Sequence, residues 1–289
     1  MPLILVVGAT GQQGGAVTNA LLASGHNNLK IRALTRNPSS AASKALADRN
    51  VELARGDLLD GDSLLTALTG CGAAYLVTDF RGEGDVAGEI KQGKLFTDKA
   101  KEANVKHLVF SSVAGADIAQ AVEYFYSKFQ IEEYIKASGL SWTFLRPSGL
   151  MEVLPPAGVG RAFMLGAFAA TLRDVAQPYV ACEDIGRMIA KAIREPDNFK
   201  SKIIDLAGDR VNVDQLQAAL GKAEGTRSWR VWLPRWLVLA LSPYHYRQMF
   251  KWLGLGVQPG DPSECQQILG SVLSVEEWAR KQKTLADSA

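Results

Sequence analysis

The sequence predicts a doubly wound, parallel α/β sheet with a smaller, mainly helical C-terminal domain, and three observations carry that prediction. The apolar, β-branched run Leu3–Val7 stops at a glycine-rich turn and gives way to a helical pattern. Strand and helix patterns then alternate to about residue 150, the signature of a parallel sheet covered on both faces. After Pro147 the rhythm breaks, returns to the main sheet over about 178–207, and ends in helices. The expected division is therefore 1–150 for the nucleotide-binding part and 151–289 for a substrate or partner part.

The first element is a strand, glycine turn and helix. Gly8, Gly11 and Gly14 allow a tight turn, close approach of a ligand and close packing of helix on strand, while Ala16, Val17, Ala20, Leu21 and Leu22 recur at helical spacing until Ser24-Gly25 ends the helix. Backbone N–H groups at the start of that helix would face a pyrophosphate. The turn predicts a dinucleotide site.

The second strand, Lys30–Thr35, runs into Thr35-Arg36-Asn37-Pro38. An NAD site calls for an acidic residue at that strand end to accept from the ribose hydroxyls, and the next acid is Asp48, well down the following helix. Arg36 can instead fork onto a 2′-phosphate, which reads as NADP(H); otherwise it is a solvated arginine opening a helix. Lys44 is either a second cation for that phosphate or part of a solvated face. Residues 51–53 form a third strand leading to Asp57 and Leu58, where Asp57 could accept from the adenine amine. A fourth strand, 73–77, ends at Thr78, and residues 81–85 read as a mobile loop. Residues 89–104 are helical, 107–110 form a fifth strand ending in Ser111-Ser112, and 142–145 a sixth ending in Arg146-Pro147. Residues 152–173 suggest an irregular, partly helical excursion. Residues 184–194 form an amphipathic helix, Lys202–Leu206 a late strand, and the rest helices with an aromatic middle. Ligands in such sheets bind beyond the carboxyl ends of the strands, where Gly8 to Gly14, Arg36, Asp57, Thr78, Ser111 and Pro147 all fall.

Whole-chain properties narrow the function classes. The 289 residues carry 32 basic and 30 acidic side chains, a balance that argues against a nucleic-acid footprint. No charged segment precedes Leu3 to suggest a signal peptide, and the apolar stretch 229–241, broken by Arg230, Pro234 and Arg235, is too short to span a bilayer, so a cytoplasmic protein without membrane attachment is expected. Cys71, Cys182 and Cys265 are widely separated and make no metal-ligand pattern with His26, His107 and His245. Free thiols and no metal are expected, each cysteine a buried small hydrophobe or, less commonly, a redox sensor.

Candidate chemistry lies in Tyr124-Phe125-Tyr126-Ser127-Lys128, within the helical pattern 122–137. Tyr124 and Lys128 are four apart and share a helix face, so the ammonium could lower the phenol's pKa from about 10 and make it a proton donor. Ser111, at a strand end, could hold the same substrate oxygen. Ser111, Tyr124 and Lys128 thus form a candidate set for hydride transfer to a carbonyl; equally, Tyr124 belongs to an aromatic core face, and Lys128 could hold the nicotinamide ribose alone. Phe80, Phe163, Phe168 and the late tryptophans are expected to be core, with a few lining a substrate cavity.

The turn Gly8 to Gly15, the strand end Leu34 to Pro38, Gly56-Asp57-Leu58, the helix at Lys91 to Leu95, Val109 to Ser112, Ser127-Lys128 with Ile131 to Tyr134, Leu145-Arg146-Pro147, Asp184-Ile185-Gly186 and the closing Leu273 to Trp278 resemble the NmrA-like proteins, atypical members of the short-chain dehydrogenase/reductase superfamily. The resemblance runs nearly end to end. It implies a Rossmann domain, a smaller C-terminal domain and a cleft between them. It assigns Gly8, Thr10, Gly11, Gln12, Gln13 and Gly14 to the pyrophosphate turn, Arg36 to the 2′-phosphate and Lys128 to the ribose. Members of this family are either reductases of small molecules or NADP(H)-binding regulators that act through protein partners. Regulators often lack the tyrosine found here as Tyr124, which favours a reductase. Glu152-Val153 departs from the family's acidic residue followed by asparagine, which implies a reshaped, more apolar pocket. The sequence names neither a substrate nor an oligomeric state.

Overall fold

The computed structural model describes residues 3–23 and 29–287; the expected helix end at Ser24-Gly25, and His26, lie outside them. Seven parallel strands form the main sheet in the order β3 (Glu52–Arg55), β2 (Lys30–Thr35), β1 (Leu3–Val7), β4 (Cys71–Val77), β5 (His107–Ser111), β6 (Trp142–Pro147), β9 (Lys202–Leu206). The order in which successive strands are added reverses between β1 and β4, so the crevice beyond their carboxyl ends is where a ligand of a doubly wound sheet lodges.

Each strand sends alternate side chains to opposite faces. Ile4 and Val6, Ala73 and Tyr75, and Val109 pack on one face with α1 (Gln12–Ala23) and α7 (Cys182–Arg194). Leu5 and Val7, Ala74 and Leu76, and Leu108 and Phe110 pack on the other with α3 (Gly61–Leu68), α4 (Asp85–Glu102) and α5 (Glu123–Ser138). Helices meet closely where a glycine permits it. A Cβ on Gly186 of α7 would stand 2.4 Å from the Ala16 carbonyl of α1, and one on Gly93 of α4 would stand 2.6 Å from Ile131 of α5.

The C-terminal layer is built on a small sheet that sequence reading missed. In it β8 (Gln177–Val180) pairs parallel with β7 (Gly149–Leu150) and antiparallel with β10 (Asp209–Val211). Around it pack α6 (Val159–Leu172), α9 (Val213–Glu224) and α13 (Val275–Asp287). Most of the expected irregular excursion is the continuous helix α6. Its glycines lower helix propensity, but Gly166 is needed for packing, because a Cβ there would stand 2.2 Å from the Val231 carbonyl. The two-residue β7 and three-residue β10 escaped notice because each is too short for a period-2 pattern. α10 (Arg235–Leu241), α11 (Tyr244–Leu253) and α12 (Pro262–Leu269) complete the chain, with the short α8 (Pro196–Phe199) before β9.

Several aromatic expectations are corrected. Trp252 is buried, but Trp229, Trp232, Trp236 and Phe163 are exposed, since no described segment packs over these four side chains. Cys71, Cys182 and Cys265 are free and buried. Burial pushes the Cys71 thiol up, and the Cys265 thiol up to about 11, so neither is a ready thiolate.

Candidate functional site

A cleft of about 1180 Å³ opens along the carboxyl ends of the main strands, and every sequence-predicted site residue except Lys44 lines it: Gly8, Thr10, Gly11, Gln12, Gln13, Gly14, Arg36, Asp57, Leu58, Thr78, Ser111, Tyr124, Lys128 and Pro147. The turn at its floor needs its glycines. Gly8 holds φ at +67°, where an L side chain is strained, and a Cβ on Gly14 would stand 2.2 Å from the Gly8 carbonyl oxygen. The Gly11 amide donates to the Gly8 carbonyl at 2.8 Å, which closes the turn and starts α1 at Gln12 with no acid in its first turn. That leaves the positive end of α1 facing the cleft without an internal counter-charge.

At the neighbouring strand end Arg36 is exposed and forms no ion pair among the described residues. The loop beneath it is fixed by short polar links: Thr35 Oγ1 to Ser43 Oγ at 3.1 Å, and Ser43 Oγ donating to the Asn37 carbonyl at 2.9 Å. Lys44 is exposed but does not line the cleft. Asp57 accepts from the Leu59 amide at 2.8 Å through one carboxylate oxygen.

At the opposite end of the cleft Lys128 points from α5 toward the end of β4. Its ammonium donates to Glu89 Oε1 at 2.8 Å, Thr78 Oγ1 at 3.1 Å and the Thr78 carbonyl at 3.2 Å. Glu89, fully buried on α4, also accepts from Thr78 Oγ1 at 3.0 Å and from Ser127 Oγ. Glu89 therefore clamps Lys128 at the cleft wall, a link the sequence did not disclose.

The three proposed catalytic side chains do not converge on one another. Tyr124 directs its hydroxyl to Met249 Sδ at 2.8 Å and stacks on Phe80 with ring centroids 4.4 Å apart. Burial pushes its phenol up, with no compensating effect from Lys128, so the expected lowering by the ammonium is corrected: Glu89 holds that charge away. Ser111 Oγ donates to Gln13 Oε1 at 2.7 Å, which ties β5 to the glycine turn. Two neighbouring hydroxyls are freer. Ser112 Oγ and Ser148 Oγ line the cleft, are buried and have no hydrogen-bond partner, which a bound polar ligand would supply. Sequence reading saw Ser112 only as the strand-end neighbour of Ser111 and passed over Ser148; both follow a strand's carboxyl end, and that position was the available signal.

Phe80, Phe125, Leu150 and Tyr246 give this end of the cleft an apolar wall. Residues 81–85, expected to be a mobile loop, contribute Arg81, Gly82 and Glu83 to the rim, and Arg81 Nε bonds Asp79 Oδ1 at 2.9 Å. Glu152 lies outside the cleft. Its Oε1 accepts from the Cys182 amide at 3.0 Å and from Trp278 Nε1 at 3.1 Å, which fastens α13 and α7 to the segment after β7. Together the glycine cradle, the unpaired Arg36, the clamped Lys128 and the two partnerless hydroxyls fit an extended, anionic dinucleotide better than a compact ligand.

Residues 2–255 match the model of the NmrA-like family. The NmrA-like family domain-containing oxidoreductase notA′ of Aspergillus versicolor is 31% identical over 237 residues, 71% of this chain and 64% of that protein, so the match spans just under two thirds of the relative. Among solved structures, the Citrobacter sp. triphenylmethane reductase complexed with NADP(H) superposes with a TM-score of 0.81 at 23% identity, covering 96% of this chain and 99% of that one. NmrA, a negative transcriptional regulator, in complex with NADP, superposes with a TM-score of 0.75 at 21% identity, covering 96% and 94%.

Proposed function

This chain belongs to the NmrA-like family, and from that premise we propose that it is an NADPH-dependent reductase acting on a small aromatic or conjugated carbonyl or enone. The observation that carries the reading is a single cleft that joins the glycine turn, a free arginine at the end of β2 and the clamped Lys128 beside an apolar wall. The pyrophosphate would rest on the first amides of α1, Arg36 would fork onto the 2′-phosphate, and Asp57 with Leu58 would border the adenine. Lys128 and Thr78 would hold the nicotinamide ribose, and Ser112, Ser148 and the Pro147 turn would face the nicotinamide amide. The cofactor supplies the hydride; the chain supplies binding, orientation and a proton. Phe80, Phe125 and Tyr246 exclude water from one face of a flat substrate. Tyr124 is protonated at neutral pH because burial pushes its phenol up, and its O–H can turn from Met249 Sδ toward the substrate oxygen as hydride reaches the carbon. The triphenylmethane reductase and notA′ are named as a reductase and an oxidoreductase, which supports the same reading.

The test is loss of NADPH absorbance with a panel of quinones, enones, aldehydes and triphenylmethane dyes. Arg36→Ala is expected to weaken NADPH use roughly 10- to 100-fold, the loss of one or two charge-assisted hydrogen bonds, and to leave NADH use unchanged. Tyr124→Phe is expected to lower turnover without weakening NADPH binding; survival of full turnover would remove Tyr124 as the donor.

A second reading, a regulator that binds NADP(H) and acts through protein contacts, is favoured by one observation. Ser111, Tyr124 and Lys128 each engage a different partner and present no shared acid to a substrate. NADPH bound tightly and oxidised with nothing on the panel would put that reading first.

A further inference from the structure

Residues 225–260 contain no aspartate or glutamate but hold Arg227, Arg230, Arg235, Arg247 and Lys251, so the rest of the chain carries −3 against a whole-chain +2. The same stretch exposes several large apolar side chains. α10 has six apolar residues among its seven and buries none of them. Trp236 and Ala240, one turn apart, face outward with Leu241, whereas Leu237, Val238 and Leu239 are half-buried toward α6. Upstream, the Val231 amide donates to the Ala162 carbonyl of α6 at 3.1 Å, and Trp232 stands exposed between the half-buried Val231 and Leu233. Trp229, Trp232, Trp236 and Leu241 are 52%, 83%, 70% and 75% exposed. A surface helix of a water-bathed protein turns a polar side out; this one turns out Trp236, Ala240 and Leu241 together with its single polar residue, Arg235, which marks an interaction face.

Charge decides what it meets. A second copy seated face to face would oppose like charges across a two-fold axis. Arg230 is paired with Asp214, and Arg247 donates to the carbonyls of Ala240 and Ser242. Arg227, Arg235 and Lys251 form no ion pair among the described residues and stay available for phosphate oxygens. Tryptophans beside arginines, half in an apolar phase and half wet, are the composition of a segment that lies in a lipid interface. Among the described residues no helix is long and apolar enough to cross a membrane, so the fitting mode is a seat on the surface. We propose that the face carried by residues 229–241 docks on an anionic lipid surface, with Trp229, Trp232, Trp236 and Leu241 entering the interface and Arg227 and Arg235 on the headgroup phosphates. α11 follows after Ser242-Pro243 and places Tyr246 in the cleft wall, so docking holds that end of the cleft close to lipid. This departs from the expectation of no membrane attachment, and it is independent of whether the protein turns over a substrate.

The full chain is mixed with phosphatidylcholine vesicles with and without phosphatidylserine, and the bound fraction and tryptophan emission are measured. Binding and a blue shift are expected only with phosphatidylserine, with release at about 1 M salt, where the screening length shrinks to about 3 Å. Arg227→Gln with Arg235→Gln is expected to lower partitioning about 25-fold, roughly five-fold per charge. Trp232→Ser with Trp236→Ser should weaken partitioning and remove most of the blue shift, leaving the part due to Trp229, with NADPH binding retained as the folding control, because neither residue lines the cleft. The proposal is overturned by no binding at low salt, by binding that neither double variant weakens, or by concentration-dependent self-association that the Trp232→Ser, Trp236→Ser chain loses.

Discussion

Lys128 and Glu132 stand one turn apart on α5, and each is half of a buried ion pair, yet the two pairs do different work. Arg146 is gripped on all sides: Nε and Nη2 meet both oxygens of Glu132 at 2.9 and 2.7 Å, and Nη1 meets Asp117 at 3.0 Å. It lies beneath the cleft, outside its lining. Lys128 has one carboxylate partner, and its ammonium lies at the wall of the cleft. A bidentate guanidinium paired with two carboxylates has its charge matched and lies outside the cleft, whereas an ammonium held by one carboxylate and two oxygens of Thr78 can exchange one of them for a ligand. The comparison separates an ion pair that locks α5 to β6 from one that presents a positive charge to a ligand.

The largest effect is expected from Arg146→Met, which strands Glu132 as a fully buried, unpaired carboxylate. Urea unfolding should show a loss of about 3–5 kcal/mol, while NADPH affinity of the folded protein stays near wild type. Adding Glu132→Leu to that chain should recover most of the stability, because removal of both charges leaves no uncompensated carboxylate. A fall in NADPH affinity with stability intact would break the comparison. Next comes Lys128→Met, for which NADPH binding by titration should weaken roughly 10- to 100-fold with a smaller stability loss than Arg146→Met, since Glu89 lines the cleft and water can replace the ammonium there. If Lys128→Met instead costs only stability, both pairs are structural.

The smallest effect concerns Asp205, beside the closed pair. Burial raises its carboxyl, against the pull of Arg146, to about 6, above the ordinary carboxylate value. A folded pKa above the unfolded one means that this group favours the fold below about pH 4 and that the contribution is lost as pH rises through 6. Asp205→Asn should therefore gain on wild type as pH climbs across that window, by roughly 2–4 °C in Tm for each kcal/mol or so recovered. A constant difference from pH 4 to 7 would show that Asp205 does not titrate there.

Much of the architecture was legible because strands of the main sheet read as apolar or apolar-rich runs and glycine turns as breaks. Leu3–Val7 and Lys30–Thr35 needed no tertiary knowledge, and strand ends alone brought Gly8, Arg36, Asp57, Thr78, Ser111 and Pro147 into one cleft. Roles within the cleft were less legible. The four-residue spacing of Tyr124 and Lys128 correctly put them on one helix, but the fate of the ammonium depended on Glu89, a residue 39 positions away whose approach rests on Gly93 meeting Ile131. His107 looked unassigned in the sequence; its ring nitrogens lie 2.9 and 3.0 Å from the hydroxyls of Ser141 and Thr143, and burial lowers its pKa to about 4. The late aromatics misled most, because hydrophobicity says that a side chain prefers burial and not whether another layer arrives to bury it.

The sequence by itself determined the parallel sheet, the glycine turn and the positive charge waiting at the end of β2, since each depends on residues within a few positions of one another. Only the tertiary structure decided which groups are engaged and which are open. Glu89 takes Lys128, Glu132 takes Arg146, Met249 takes the Tyr124 hydroxyl, and three tryptophans are left facing outward. The physical reason is range: backbone geometry and side-chain periodicity are local, whereas burial and charge pairing depend on which distant segments the packed helices bring together.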